Sequence, residues 1–116
     1  RFQGNEGERV PENVSKLIVN SGIRVLPDEF CCFNCVRLRE VSLPEGLIKI
    51  GSRAFAFCTS LLEINICHTV ESIGNGAFWD CRLLTKVEFE LSSSSSHQLK
   101  TIGGHAFHYC LSLQRI

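Results

Sequence analysis

This 116-residue sequence has no excess charge of either sign and no long apolar run. Twelve basic and twelve acidic residues leave a formal net charge of zero, whereas non-specific binding to DNA or RNA depends on an excess of Lys and Arg. The apolar runs stop well short of the ~20 residues that cross a bilayer as a helix. Nucleic acid is therefore not an expected partner, and we expect no transmembrane segment in this chain.

The sequence also lacks a recognisable catalytic or cofactor-binding pattern. Cys, His and acidic residues occur, but no local signature brings a nucleophile to a base. Gly103-Gly104 and Gly74-Asn75-Gly76 match neither the P-loop nor the dinucleotide-binding spacing. A zinc site is not expected, because the cluster of Cys31, Cys32 and Cys35 has no second pair of ligands at suitable spacing. We expect no enzyme activity, no cofactor and no metal.

What the sequence does contain is a repeat of 23 residues. Cys35, Cys58, Cys81 and Cys110 follow one another at intervals of 23, 23 and 29 residues. The longer interval includes a run of five serines, and an insertion of about six residues there restores the period. Apolar residues recur three, six and eight positions after the cysteines. The pattern Ile-Gly-x-x-Ala-Phe-x-x-Cys precedes three of them.

The repeat predicts a coil with a strand and a turn in each unit. Apolar residues at the sixth and eighth positions alternate as in a strand that is buried on one face. The three-residue spacing in Ala-Phe-x-x-Cys predicts a helical or 3₁₀ turn, and the Gly of Ile-Gly is expected to supply the turn angles. Because one unit cannot bury its own apolar side, the units must stack, with their strands in a parallel ladder. Phe55, Phe78 and Phe107 should then form one file through the interior.

The combined frame resembles the leucine-rich repeat of the BspA-like surface-protein family. The frame reads Cys-x-x-Leu-x-x-Val-x-Leu and then Ile-Gly-x-x-Ala-Phe-x-x-Cys, and the resemblance covers roughly residues 14–116. It implies an α/β fold, a right-handed leucine-rich-repeat solenoid with a parallel β ladder and short helical or 3₁₀ turns. It further implies adhesion or protein recognition rather than chemistry. A cell-surface or extracellular location follows from the resemblance, and a cytoplasmic location stays open.

The repeat also sets the expected domain organisation. Residues 1–13 should form a polar N-terminal lead-in, and residues 14–116 an array of about four units with a Ser-rich insertion near residues 92–97. We expect the array to be truncated at its C-terminal end, because Ile116 falls within a unit. Terminal repeats normally need a polar cap. Self-association through the uncapped C-terminal end is therefore an expected property.

The four cysteines that set the period are expected to be buried free thiols that behave as small apolar residues. Equivalent side chains in stacked coils project in parallel, whereas a disulfide needs two Cβ atoms turned toward each other. A labile surface thiol is expected instead at Cys31 or Cys67.

Binding residues are expected on the outward side of the ladder, where three columns of side chains alternate with the buried ones. The first column is Lys16, Glu40, Glu63, Lys86 and Arg115; the second is Ile18, Ser42, Asn65 and Glu88; the third is Asn20, Pro44, Cys67 and Glu90. Trp79 is a further candidate, either facing partly outward or packing against the turn of the next coil. The columns mix charge signs, so they could also serve only to solvate the sheet.

Two functions remain open at this stage. The first is a non-catalytic recognition or adhesion module that binds a protein or a surface glycan. The second is a structural spacer or scaffold in a larger multidomain protein. An enzyme domain beyond Ile116 is a third arrangement that the sequence leaves open.

Overall fold

The computed structural model describes residues 10–31, 35–90 and 98–114. Over these ranges the chain forms eight short strands and no helix. The strands are β1 (Lys16–Ile18), β2 (Val25–Leu26), β3 (Glu40–Ser42), β4 (Lys49–Ile50), β5 (Glu63–Ile66), β6 (Ser72–Ile73), β7 (Lys86–Phe89) and β8 (Thr101–Ile102). Arg115, Cys32, the Ser-rich insertion near residues 92–97 and the first nine residues of the expected lead-in lie outside the described residues.

Every strand pair in the described part of the chain is parallel. The two-residue strands form one sheet in the order β2-β4-β6-β8, while β1 pairs with β3 and β5 pairs with β7. Partners are equivalent residues of successive repeat units, since Leu17 lies opposite Val41 and Ile64 lies opposite Val87. The parallel ladder that the repeat predicts is therefore present, with like residues beside like.

The ladder on the expected strand side is divided in two. The Leu62 amide donates to the Arg39 carbonyl at 3.2 Å just before β3 and β5 begin. Beyond this point the two strands run side by side, and no sheet pairing joins them within the described residues. A cleft opens along this division, which the sequence pattern did not predict.

The four-stranded sheet is built from the segment of each repeat unit for which the sequence pattern predicted only a bend. Each of its strands ends at the residue that precedes the Gly or Pro of the repeat. These last residues pair with one another from coil to coil, in the order Leu26, Ile50, Ile73 and Ile102. The first three of these side chains are fully buried, whereas Ile102 is 49% exposed. Each unit thus contributes two strands to the structure, one to each side of the core.

The expected helical or 3₁₀ turn does not form. Its segment is a run of tight turns, in which Arg53 and Phe57 have φ values of 57° and 64°. A helix needs consecutive residues with negative φ. The amide of Phe55 instead donates to the Ala77 carbonyl of the next coil at 2.7 Å. The Ala54 and Cys58 amides still bond within the segment, to the Gly51 and Phe55 carbonyls at 3.2 Å. Because these local bonds alternate with bonds to the next coil, no helix forms, and the expected α component of the fold is absent from the described residues.

The glycine of Ile-Gly is required by a close approach rather than by turn angles. The φ of Gly74 lies outside the left-handed region, so the expectation based on turn angles was wrong. A Cβ at Gly74 would lie 2.5 Å from the Ser52 amide nitrogen and 2.7 Å from the Gly51 carbonyl carbon. Glycine at this position lets two neighbouring coils approach to the distance that separates paired strands.

The core is a continuous column of apolar side chains. The rings of Phe55 and Phe78 stack with centroids 5.4 Å apart and planes 10° apart, and those of Phe78 and Phe107 stack at 5.3 Å and 1°. Phe30 meets Phe55 edge-on at 5.8 Å. The single file of phenylalanines is confirmed, and it ties the described units into one core.

Candidate functional site

The strand face presents polar side chains of neighbouring coils directly opposite one another. Lys16 stands opposite Glu40 and Ile18 opposite Ser42. On the second sheet Glu63 stands opposite Lys86 and Asn65 opposite Glu88. All of these side chains are exposed except Lys86, which is half-buried. The described residues of the first two predicted columns are therefore exposed or half-buried. In the third column Pro44 is buried, because it lies beyond the end of β3 and its carbonyl accepts a hydrogen bond from the Cys67 thiol of the next coil, so its predicted outward position was wrong.

Charges on this face partly neutralise one another. The Lys86 Nζ lies 2.9 Å from the Glu88 Oε1, with side chains 38% and 49% exposed. An exposed pair of this kind contributes only about 0–1 kcal/mol to stability. Charge changes on the face should therefore have little effect on the stability of the fold.

Two shallow clefts lie along the division between β3 and β5. The first has a volume of about 270 Å³ and is lined by Arg39, Glu40, Val41, Leu62, Glu63 and Asn65. The second has a volume of about 280 Å³, and its lining includes Lys16, Ser42 and Glu90. Most of the predicted outward residues thus line a surface with relief rather than a flat sheet.

Cys67 does not belong to the outward surface, and the expected surface thiols are buried. Cys67 is 4% exposed and Cys31 is 2% exposed. The Cys67 thiol donates to the Pro44 carbonyl of the preceding coil at 3.0 Å. Burial raises the pKa of the Cys67 thiol. Cys67 follows the last residue of β5, so the alternation of buried and exposed side chains in that strand does not extend to it. Neither Cys67 nor Cys31 is therefore a labile surface thiol.

The column cysteines are free thiols, as expected. Cys35, Cys58 and Cys81 are buried, and Cys110 is half-buried. The Cys81 thiol donates to the Phe55 carbonyl at 3.1 Å, and the Cys110 thiol donates to the Phe78 carbonyl at 3.1 Å. A hydrogen bond with Cys110 and burial together raise the pKa of Cys81. A protonated, buried thiol is a poor nucleophile and a poor metal ligand.

Metal-binding residues do not converge in the described part of the chain. Over residues 10–31, 35–90 and 98–114, no group of three or more His, Cys, Asp and Glu side chains is placed to hold a metal ion. His105 and His108 lie close together, with ring centroids 4.9 Å apart. They belong to an aromatic cluster rather than to a metal-ligand set.

Trp79 is the centre of that cluster on the turn side of the coils. Its ring centroid lies 4.7 Å from that of His108, 5.4 Å from that of His105 and 6.3 Å from that of Tyr109. Trp79 is half-buried, whereas His105 and Tyr109 are exposed. Both expectations for Trp79 hold, since it packs on the next coil's turn and remains partly accessible.

The sequence pattern missed this cluster, although one signal for it was present. Trp79 follows Phe78 as His108 follows Phe107, so the two rings occupy the same position in successive units. Stacked units place such residues side by side. Aromatic residues at equivalent repeat positions therefore predict the contact between Trp79 and His108.

The family model described as BspA type leucine-rich repeat region (6 copies) matches residues 27–116 of the chain. The chain belongs to the BspA-type leucine-rich repeat family. The match includes the three regular units and begins after the looser stretch at 14–26, which the resemblance had also covered. Neither the curated proteins nor the solved structures gave a significant match.

Membership of the BspA-type family bears on function at a general level. Leucine-rich repeats of this kind are generally non-catalytic and are associated with protein interaction, adhesion and the cell surface. Within the described residues, no helix has the length and apolar character to cross a membrane. The kind of partner must therefore be inferred from the side chains on the surface of this chain.

Proposed function

We propose that this BspA-type chain is a non-catalytic recognition or adhesion module of right-handed solenoid form. The single observation that carries the proposal is the register of its strand face. Charged and polar side chains of successive coils stand opposite one another above a continuous apolar core. Stacked repeats create extended surfaces of this type for binding. Right-handed coiling is supported by the strong preference of parallel strand crossovers for that hand.

The proposed binding surface is the strand face together with the accessible side of Trp79. Its residues are Lys16, Glu40, Ser42, Glu63, Asn65, Lys86, Glu88 and Trp79. The clefts along β3 and β5 support this placement, because they let a partner contact side chains from two coils at once. A protein or a surface glycan is the proposed partner, and the family's association with adhesion favours a cell-surface setting.

A structural spacer is the second candidate. The pairing of Lys86 with Glu88 supports it, because a self-neutralised face offers little to a partner. A spacer would require these residues only for solubility. Its surface could then change without loss of function.

An array experiment with matched variants separates the two candidates. The chain is screened against protein and glycan arrays, and each hit is measured again with the strand-face variant Glu40→Lys/Glu63→Lys. The control is Glu12→Lys/Glu45→Lys, which makes the same charge change at two exposed positions outside the strand face. Recognition through the strand face predicts roughly a 10-fold or greater loss of affinity in the first variant alone.

The spacer candidate predicts a different result. It predicts no hits, or hits that the two variants weaken equally. Thermal melting of both variants checks that the fold is intact, and exposed charge changes should alter stability by no more than about 0.5 kcal/mol.

A further inference from the structure

The turn side carries a second accessible cleft, distinct from those of the strand face. We call it the turn cleft. It has a volume of about 270 Å³ and is lined by Arg53, Asn75, Gly76, Trp79, Gly104 and His105. These residues come from three successive coils, so the cleft exists only in the stacked structure.

Glycine at position 76 allows Trp79 and Arg53 to approach each other in the wall of the turn cleft. A Cβ there would lie 3.3 Å from Cε3 of Trp79 and 3.4 Å from Cγ of Arg53. The φ of Gly76 is 62°, a conformation that side chains disfavour. The indole ring and the aliphatic stem of Arg53 therefore close tightly over Gly76 and form apolar walls beside it.

Backbone hydrogen bonds hold the floor of the turn cleft. The Gly76 amide donates to the Gly104 carbonyl at 3.0 Å. The Gly104 amide in turn donates to Oδ1 of Asn75 at 2.8 Å. The cleft is thus preformed, and a ligand would not have to order it.

The charge around the turn cleft differs from that of the strand face. Arg53 is exposed, and none of the ion pairs formed by the described residues involves it. No carboxylate lines the cleft, and Asp80, which follows Trp79, pairs with Arg82 at 2.7 Å. The strand-face clefts, by contrast, place carboxylates beside the cations Arg39 and Lys16; these carboxylates belong to Glu40, Glu63 and Glu90. Apolar walls with a cationic rim favour a ligand that is aromatic at its centre and acidic around it.

We propose that the turn cleft binds an acidic peptide segment that lays one aromatic side chain against the accessible side of Trp79, next to Arg53. The ring would lie against the indole, and flanking carboxylates would approach the Arg53 guanidinium. Trp and Arg are the residue types that most often dominate binding at interfaces. The inference rests on the proposed recognition role. It shares Trp79 with the proposed binding surface but none of the strand-face residues.

Trp79 provides the measurement, because it is the only tryptophan of the chain. The probe is the acetylated and amidated peptide EEDFEED, titrated while Trp79 fluorescence is followed. The comparison peptides are EEDAEED, which lacks the aromatic ring, and KKGFKKG, which reverses the charge. We expect a saturable change in emission with EEDFEED, and roughly 10-fold or weaker affinity for each comparison peptide.

Variants locate the site and keep the test independent of the strand-face proposal. Arg53→Asp should weaken EEDFEED binding by roughly 10-fold or more, whereas Arg37→Asp, at another exposed arginine, should leave it unchanged. Glu40→Lys/Glu63→Lys should also leave it unchanged, even where that variant abolishes array hits. A circular dichroism spectrum of each variant confirms the fold.

Several outcomes would overturn the turn-cleft proposal. These are no saturable change up to about 1 mM peptide, equal binding of KKGFKKG, or equal losses with Arg53→Asp and Arg37→Asp. The proposal would also be overturned if a neutral oligosaccharide such as cellohexaose bound saturably and none of the peptides did. The ligand of the turn cleft would then be a sugar.

Discussion

At the scale of single residues, cysteine combines two properties at the end of each repeat unit. Its side chain is small and apolar enough to fill the column beside the phenylalanines. It also donates a hydrogen bond, as Cys81 does to the Phe55 carbonyl at 3.1 Å, and that carbonyl accepts the Cys58 amide as well at 3.2 Å. The sequence pattern predicted the apolar property. The donor property depends on a carbonyl of the neighbouring coil.

The phenylalanine file should make a large contribution to stability. Phe78 is fully buried and stacks on Phe55 on one side and Phe107 on the other. We expect Phe78→Ala to lower the free energy of unfolding by about 3–5 kcal/mol, because the cavity lies between two rings. Urea denaturation followed by circular dichroism measures the change.

The matched control for this substitution is Leu83→Ala. Leu83 is 48% exposed, so its truncation should cost no more than about 0.5 kcal/mol. A loss below about 1 kcal/mol for Phe78→Ala would show that the file does not hold the units together.

At the scale of the elements, alternate amides of each turn segment bond within the turn and to the next coil. The amides of Arg53, Phe55 and Phe57 donate to carbonyls one repeat further along the chain, at 2.9, 2.7 and 2.7 Å. This pattern requires left-handed backbone at Arg53 and Phe57, and a left-handed residue interrupts a helix. The four-stranded sheet and the turns thus link successive coils by similar backbone bonds.

Close approach of the coils makes the repeat's glycine sensitive to substitution. Gly74→Ala would put a Cβ 2.5 Å from the Ser52 amide nitrogen. Because backbone atoms cannot move aside as a flexible side chain can, we expect a loss of about 1–3 kcal/mol or more in the free energy of unfolding. Chemical denaturation is the measurement.

Gly22→Ala provides the comparison, since nothing lies within 4 Å of a Cβ at Gly22. Its stability should stay within about 0.5 kcal/mol of the parent chain. Equal effects at the two glycines would mean that chain entropy rather than coil spacing sets the preference for glycine.

At the scale of the whole molecule, apolar exposure rises in the last described coil. Ile102, Tyr109 and Leu111 are 49%, 55% and 74% exposed. Phe107 is only half-buried there, whereas its equivalent Phe78 is fully buried. The core is therefore accessible at that end of the described stack.

Residues 1–116 should associate through this exposed end. We expect sedimentation velocity to show growth of larger species from roughly 5 to roughly 200 µM. Ile102→Lys/Leu111→Lys should suppress the association, because charges on an exposed apolar end oppose pairing. Val25→Lys is the control, since Val25 is 50% exposed in the first coil. A monomer across the whole range would contradict the prediction.

The sequence by itself determined the repeat and the sidedness of each unit. The period of 23 residues, the file of Phe55, Phe78 and Phe107, and the outward position of Glu40 and Glu63 all followed from apolar spacing along the chain. Such spacing is a local property, because a side chain's direction depends on its place within its own strand or turn.

The tertiary structure decided everything that depends on the distance between neighbouring coils. Four features depend on it: the division between β3 and β5, the left-handed turns, the burial of Cys67 and the contact of Trp79 with His108. Each depends on how closely two neighbouring coils approach and on which groups they place opposite each other. No residue pattern within a single unit specifies what the adjacent unit places against it.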